Sequence, residues 1–221
     1  MVNPVNHPSI PSIEQWIGHL EGLIAGPMSG VPINGTDEEK RAFIDSFRDE
    51  FGARRATDRA LLSRVLRIGY QPGDIASDDL DYQFWESLVG SRGSWNELIS
   101  ETDGLVDPHG YAIEHRTQIE LCALHAFWYL AEDAMKARVD ELVDWHTREL
   151  QPDNGINRPW GIHAFVARSV QAQREELRLN AMLHAQTLAN NCCITLGRPD
   201  ILSAIILQDS TNALRSMISN D

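Results

Sequence analysis

One stretch decides the fold class of this chain: ILSAIILQDSTNALRSM, residues 201–217. Its first seven residues hold a cluster of β-branched and aliphatic side chains that suits a buried strand or a buried helix equally well. The segment then continues into DSTNALRSM, so the whole stretch fits one helix. Nowhere in the sequence do apolar and polar residues alternate convincingly with the period of two that a half-exposed strand requires. The sequence therefore predicts an all-α protein.

Apolar residues recur at helical spacing on the N-terminal side of this stretch. Ser12 is typical of an N-cap and predicts a helix over 12–25. Thr36 and Glu39 form a capping box ahead of a second helix, whose apolar stripe is predicted to run on to Phe51. The remaining pattern predicts a helix at about 54–69, a short one after Ser77 or Asp78, and long helices at 111–131, 135–150, 160–170, 174–196 and 200–218. The total is about nine helices.

Two segments of the C-terminal half resemble each other. LHAFWYL at 124–130 and IHAFVAR at 162–168 share His-Ala-Phe at an offset of 38 residues, and each is followed 21 residues later by a further histidine. Such a period is typical of stacked two-helix units, in which each unit buries its apolar face against the next. We therefore expect antiparallel helical hairpins, with two related α-α hairpin repeats in the C-terminal half.

Four histidines lie on apolar faces of these predicted helices: His125, His146, His163 and His184. Hairpin turns near residues 133 and 172 would bring His125 close to His146 and His163 close to His184, about 6 Å or less apart in height. Neutral imidazoles bind zinc, but no HExxH, Glu-x-x-His or CxxC motif accompanies these four. Histidines hydrogen-bonded inside the core are the preferred interpretation, and metal binding and proton transfer are the alternatives. No cofactor is predicted.

The connection QPDNGINRPWGIH, residues 151–163, has the densest set of polar groups able to bind a ligand. Every residue type in it also suits a plain turn, because Asp and Asn bond nearby backbone, Gly accepts positive φ and Pro begins a helix. A ligand site here would use Asn154, Asn157, Arg158 and Trp160. Arg158 would grip a carboxylate or phosphate, or it would bond the last carbonyls of the preceding helix. A turn is the preferred interpretation.

The segment WHTRELQPDNG, residues 145–155, resembles the helix-to-loop junctions of α/α-toroid enzymes, the terpenoid-cyclase and prenyltransferase-like proteins. Repeats in that family carry Gln-x-x-x-Gly-x-Trp. Gln151 and Gly155 match this spacing, whereas Trp160 falls five residues after the glycine instead of two. The acidic motif that ionises or protonates a terpenoid substrate is not visible, and a full toroid has more helices than this chain offers. The resemblance implies antiparallel helical hairpins and lends little to cyclase chemistry.

Length and composition narrow the class of protein. The 221 residues suffice for one all-α domain, predicted over 12–221, with an extended proline-bearing arm at 1–11 and a subdomain boundary near 102–110. A net charge of -13 repels phosphate backbones and anionic lipids, so neither nucleic acid nor a membrane is an expected partner. The sequence shows no leader pattern or long apolar run, which predicts a cytoplasmic protein. Cys122, Cys192 and Cys193 are interpreted as reduced core residues.

Two functions stay open at this point. Because no P-loop, Rossmann, GxSxG, kinase or zinc motif is present, the preferred prediction is a helical-hairpin interaction or structural protein that binds a protein partner or self-associates. Exposed aromatic residues would then anchor the partner, with Trp16, Trp85 and Trp95 as candidates. The alternative is a small-molecule hydrolase or lyase with a site between the hairpins, where Asp153 and His163 serve as acid and base. A deep pocket joining Asp153, Arg158 and two histidines would favour the enzyme, and locally bonded histidines would argue against it.

Overall fold

The computed structural model describes residues 9–73, 80–90, 104–105, 111–132, 135–150 and 156–219. Nine α-helices and one short 3-10 helix, Pro27–Gly30, occur in these ranges, and no strand occurs in them, which confirms the all-α prediction. None of these helices combines the length and apolar character needed to cross a bilayer. The α-helices are, in chain order, α1 (Ile13–Ile24), α2 (Asp37–Ser46), α3 (Ala56–Val65), α4 (Leu80–Gly90), α5 (Ile113–Leu130), α6 (Lys136–Glu149), α7 (Ile162–Gln171), α8 (Glu175–Asn191) and α9 (Ile201–Ser219).

Capping side chains fix the starts of the first two α-helices. Gln15 N donates to Ser12 Oγ at 3.3 Å, and Gln15 Oε1 accepts from Ser12 N at 2.8 Å. Thr36 and Glu39 form the same reciprocal pair at the start of α2. Each box satisfies two backbone donors that a helix start would otherwise leave open. Both predicted N-caps are confirmed.

Three helix ends differ from the sequence prediction, and the first is that of α3, which ends at Val65 instead of near residue 69. α2 ends at Ser46, so Phe51 is not part of its apolar stripe and is 80% exposed. The cause is Asp49, whose Oδ1 accepts from the backbone N–H groups of Phe51 at 2.9 Å and Ala53 at 2.7 Å and so holds a turn. α8 ends at Asn191, and a run of turns replaces its predicted last residues.

The last helix lies at the centre of the fold. α9 packs against α1, α3 and α7, and this contact on several sides buries every residue from Leu202 to Leu207. One core cluster extends from Trp16 in α1 to Leu214 in α9. The consecutive pairs α5–α6 and α7–α8 are in contact, as hairpins require, while the relation of the two pairs as repeats stays a prediction.

Two of the three tryptophans that we expected as partner anchors belong to the core. Trp16 is buried on the core face of α1. Trp85 is fully buried, and its indole N–H donates to the carbonyl of Cys122 at 3.2 Å. Both rings are packed in the core and cannot anchor a partner, so the prediction for these two is wrong. Trp95 lies outside the described residues.

Candidate functional site

The four histidines pair across helices in a different way from the prediction. His125 in α5 and His163 in α7 lie with ring centroids 4.4 Å apart, so the first helices of the two predicted hairpins contact each other through these rings. The adjacent residues Asp209 and Ser210 of α9 face them and provide one partner each. We call these four residues the histidine cluster. It joins α5, α7 and α9 at one point in the core.

Hydrogen bonds fix the tautomer of His125. The backbone N–H of Gly161 donates to Nδ1 at 3.1 Å, so Nδ1 carries no proton. Nε2 then carries the proton and donates to Asp209 Oδ2 at 3.2 Å. Burial lowers the pKa of His125, and the bond to Asp209 opposes this shift only in part. His125 is therefore a neutral, doubly bonded core residue, in agreement with the preferred structural interpretation.

Asp209 balances its charge with a cation from the other half of the chain. Arg64 Nε lies 3.2 Å from each oxygen of the Asp209 carboxylate, and its guanidinium stacks 3.7 Å from the centroid of the Tyr129 ring. Burial alone would raise the pKa of Asp209, but the hydrogen bond from His125 and the charge of Arg64 outweigh it and hold the pKa below its usual value. The carboxylate stays ionised and paired.

His163 lies beside a histidine and a serine, as a catalytic base often does, but the ring is closed off from any substrate. Its Nδ1 lies 3.1 Å from Ser210 Oγ, and Nε2 has no hydrogen-bond partner among the described residues. The ring is 0% exposed and enclosed by the aromatic rings of Trp128 and Tyr129. Burial lowers the pKa of His163 well below its usual value. A substrate would reach this imidazole only if the helices separated.

The second pair of histidines flanks an aromatic ring. His146 lies 6.2 Å from the centroid of Phe165, and His184 stacks on the same ring at 5.2 Å. Both ring nitrogens of His146 are buried without a hydrogen-bond partner in the described part of the chain, so the locally bonded state we expected does not hold for this residue. Burial, followed by the charges of His184 and Arg116, lowers the pKa of His146 to about 3. Within the same residues no three His, Cys, Asp or Glu side chains converge as a metal site requires, and the metal alternative stays a prediction.

Arg158 is engaged by carboxylates of its own chain. Its Nη1 donates to Asp200 Oδ1 at 2.6 Å, and its Nη2 donates to Glu50 and lies 3.8 Å from Asp49. The guanidinium that we expected to grip a ligand or the carbonyls of the preceding helix instead joins the segment after α2 to the start of α9. These partners lie 42 and more than 100 residues away in sequence, so no local pattern could have revealed them.

The other predicted ligand-binding residues are not brought together as a site. Trp160 is fully buried and packs on Trp85 and His125, with centroids 5.7 and 5.4 Å away. The Asn157 carbonyl accepts from Ser203 Oγ at 3.4 Å, which places this residue beside the start of α9. Asp153 and Asn154 lie outside the described residues.

A surface groove of about 450 Å³ lies elsewhere, and sequence reasoning missed it. We call it the loop groove, because three connections form it: the 3-10 helix, the segment after α2, and the segment before α9. Two of these connections contain the glycine- and proline-rich stretches 26–35 and 197–200. The lining residues are Gly26, Pro27, Ser29, Gly30, Arg48, Asp49, Glu50, Leu196, Arg198, Pro199, Asp200, Ile201 and Leu202.

Charge and apolar surface are both available in the loop groove. Leu196 is 59% and Ile201 46% exposed. Arg48 is exposed and donates to the backbone carbonyl of Phe47 at 2.7 Å. Arg198 is also exposed, and no ion pair to either arginine occurs within the described ranges. The groove therefore offers two guanidinium groups beside an apolar rim.

Comparison of the chain with protein-family models, with curated proteins and with solved structures gave no match. The resemblance to α/α-toroid enzymes thus stays a prediction. Gln151 and Gly155, the two residues that carry it, lie outside the described residues. The function must be argued from the histidine cluster and the loop groove.

Proposed function

We propose that this chain is a protein-interaction module that binds a short peptide segment of a partner protein in the loop groove. The observation that carries the proposal is the exposure of Leu196 and Ile201 along a groove of about 450 Å³ that also holds Arg48 and Arg198. Apolar side chains at the edge of a concave surface, with arginines beside them, are typical of surfaces where partners bind.

The arrangement of charges in the groove suggests what the segment carries. Asp49, Glu50 and Asp200 face Arg158, which takes up part of their negative charge. Arg48 and Arg198 have donors left for a ligand, and a guanidinium binds a carboxylate through two parallel hydrogen bonds. A peptide with an apolar side chain next to an Asp, a Glu or a free carboxyl terminus would satisfy both parts of the groove. The net charge of -13 disfavours nucleic acid as the ligand.

The enzyme alternative receives no support from the histidine cluster. His163, its predicted base, is 0% exposed and bonded to Ser210, and Trp160 is packed in the core. A hydrolase or lyase needs its acid and base within hydrogen-bond reach of a bound substrate. The cluster instead has the features of a polar contact between helices, with neutral imidazoles bonded to a carboxylate and a hydroxyl.

Selection from a random peptide library displayed on phage tests the proposal without a known partner. We expect enriched peptides to combine a large apolar residue with a carboxylate. Their synthetic copies should bind the protein in a fluorescence-anisotropy titration. Arg198→Glu should raise the Kd at least tenfold, which corresponds to about 1.4 kcal/mol, because it places like charges face to face.

Arg174→Glu is the matched control. Arg174 is 69% exposed beside the start of α8 and does not line the groove, so the substitution reverses the charge of an arginine on another surface. Equal binding to wild type and to Arg198→Glu would refute the proposal, as would a selection that enriches nothing. Self-association is the other form of the prediction, and sedimentation velocity at rising protein concentration distinguishes it from peptide binding. If the chain self-associates through the groove, a faster-sedimenting species should form, and Leu196→Asp should abolish it.

A further inference from the structure

Two thiols of adjacent residues meet at the end of α8. Cys192 is the C-cap of the helix and Cys193 follows it, and their sulfur atoms lie 3.9 Å apart. Both thiols point to the same acceptor, because Cys192 Sγ lies 3.2 Å and Cys193 Sγ 3.5 Å from the carbonyl oxygen of Ala189. The two sulfur atoms are thus held on one side of the helix end.

The two thiols differ in access to solvent. Cys192 is buried, whereas Cys193 is half-buried and can meet a small reagent from solution. Burial, with Cys193 as a further cause, raises the pKa of the Cys192 thiol, so Cys192 is the poorer first nucleophile. The third cysteine, Cys122, is fully buried in α5 and provides an internal comparison within the same chain.

We propose that Cys192 and Cys193 are an oxidation site, at which hydrogen peroxide converts the two thiols into an intramolecular disulfide. The Cys193 thiolate attacks one peroxide oxygen, the O–O bond breaks, and a sulfenic acid and water form once a proton is taken up. The Cys192 sulfur then attacks the sulfenic sulfur, the S–O bond breaks, and the hydroxyl leaves as water with the Cys192 proton. Each sulfur loses one electron, and the peroxide gains two.

The short distance between adjacent Cα atoms should make a Cys192–Cys193 disulfide easy to reduce. Consecutive Cα atoms lie about 3.8 Å apart, below the range of about 4.4–6.8 Å that relaxed disulfides adopt. Strain of this kind makes a disulfide easier to reduce, as in labile and regulatory bonds. The disulfide would also alter the turns that follow α8, and these turns lead to Leu196 and Arg198. The oxidation itself does not depend on the proposed function of the groove.

Mass spectrometry of the whole protein tests the inference. Folded protein is treated with hydrogen peroxide at neutral pH, quenched, unfolded, and alkylated with iodoacetamide. We expect a loss of two of the three alkylatable thiols, with Cys122 as the remaining one, and recovery of all three after incubation with reduced glutathione. Cys122→Ser should still lose both of its thiols. Cys193→Ser should keep both of its remaining thiols, Cys122 and Cys192, alkylatable.

Three results would overturn the inference. The first is a wild-type protein in which all three thiols remain alkylatable. The second is a Cys193 sulfinic acid beside a Cys192 that still accepts iodoacetamide, which would show oxidation without ring closure. The third is a disulfide found only in a covalent dimer. Cys192→Ala serves as a second variant, and circular dichroism before treatment establishes that each variant is folded.

Discussion

At the scale of single residues, Asp209 connects three helices through one side chain. Its carboxylate accepts from Arg64 of α3 and from His125 of α5, while its own backbone carbonyl accepts from Tyr129 at 3.0 Å. A buried carboxylate is unfavourable by itself, and these partners offset the loss of hydration. The arrangement also explains why His125 needs one defined tautomer. A charge at residue 209 is therefore expected to stabilise the fold and not to perform chemistry.

Asp209→Asn should lower the free energy of unfolding by about 2–4 kcal/mol, because it removes the charge of a buried pair while keeping the shape of the side chain. Urea denaturation followed by circular dichroism measures the change. Glu176→Gln is the control, since its pair with Arg174 is largely exposed at both ends and is worth about 0.5 kcal/mol or less. Equal effects of the two substitutions would show that the cluster does not hold the helices together.

The lowered pKa of His146 should make the folded protein less stable in acid. The unfolded imidazole binds a proton near pH 6.5, whereas the folded one does so only near its lowered pKa of about 3. Between these values the unfolded state binds more protons, so the free energy of unfolding falls as the pH falls, and above pH 6.5 this residue adds no pH dependence. One such group changes the free energy of unfolding by at most about 1.4 kcal/mol per pH unit.

His146→Leu should remove that part of the slope. At pH 7.5 the variant should be at least as stable as the wild type, because two ring nitrogens that lack partners in the described structure, at about 1–3 kcal/mol each, disappear with the ring. Urea titrations at several pH values between 5 and 7.5 give both quantities. An unchanged slope would mean that His146 is protonated equally in the folded and unfolded states.

At the scale of elements, the start of α7 depends on a glycine. Gly161 has a φ of +70° at the N-cap, a left-handed conformation that side chains with a Cβ rarely adopt. Its N–H donates to His125, and a Cβ added to it would lie 3.3 Å from the carbonyl oxygen of Leu121. The backbone of α7 thus approaches α5 as closely as a glycine allows, which is what brings His163 next to His125.

A comparison of Gly161→Ala with Gly197→Ala distinguishes backbone strain from the steric contact of an added Cβ. Gly197 has nearly the same φ, +66°, but a Cβ there would meet no atom within 4 Å. Gly197→Ala should lower the free energy of unfolding by about 1 kcal/mol through backbone strain alone. Gly161→Ala should lower it by roughly 1 kcal/mol more, because the two helices must also move apart. Chemical denaturation of both variants under the same conditions measures the difference, and equal values would contradict the close approach.

Local signals in the sequence were sufficient to predict the helices and their starts, but not all of their ends and not their contacts. Ser12, Thr36 and the apolar periods fixed the helix starts, because caps and periodicity act within four residues. The pairing of His125 with His163 depends on how α5 and α7 cross, and the partners of Arg158 come from two distant segments. The loop groove was missed for the same reason, since three connections far apart in the chain form it.

At the scale of the whole molecule, ion pairs and packing join the two halves of the chain. Arg64 of α3 binds Asp209 of α9, Arg158 binds Glu50, and α1 packs along α9. The core cluster runs through both halves without interruption. A subdomain boundary near 102–110, which the sequence suggested, would require the N-terminal helices to unfold separately. We expect a single cooperative unit instead, because α1 and α3 pack against α9 across this boundary.

Hydrogen exchange in rising urea provides the test. We expect the slowest amides of α3 and of α7 to reach the same opening free energy at the same urea concentration, since only global unfolding exposes either helix. α2 is the internal control: Ile44 is its one buried residue and its main contact is with α3, so it should open first, at lower urea. If α3 opened well before α7, the chain would have two folding units and the boundary near 102–110 would be real. In that event Arg64→Ala should destabilise α3 far more than α7, whereas in a single unit it lowers both opening free energies equally.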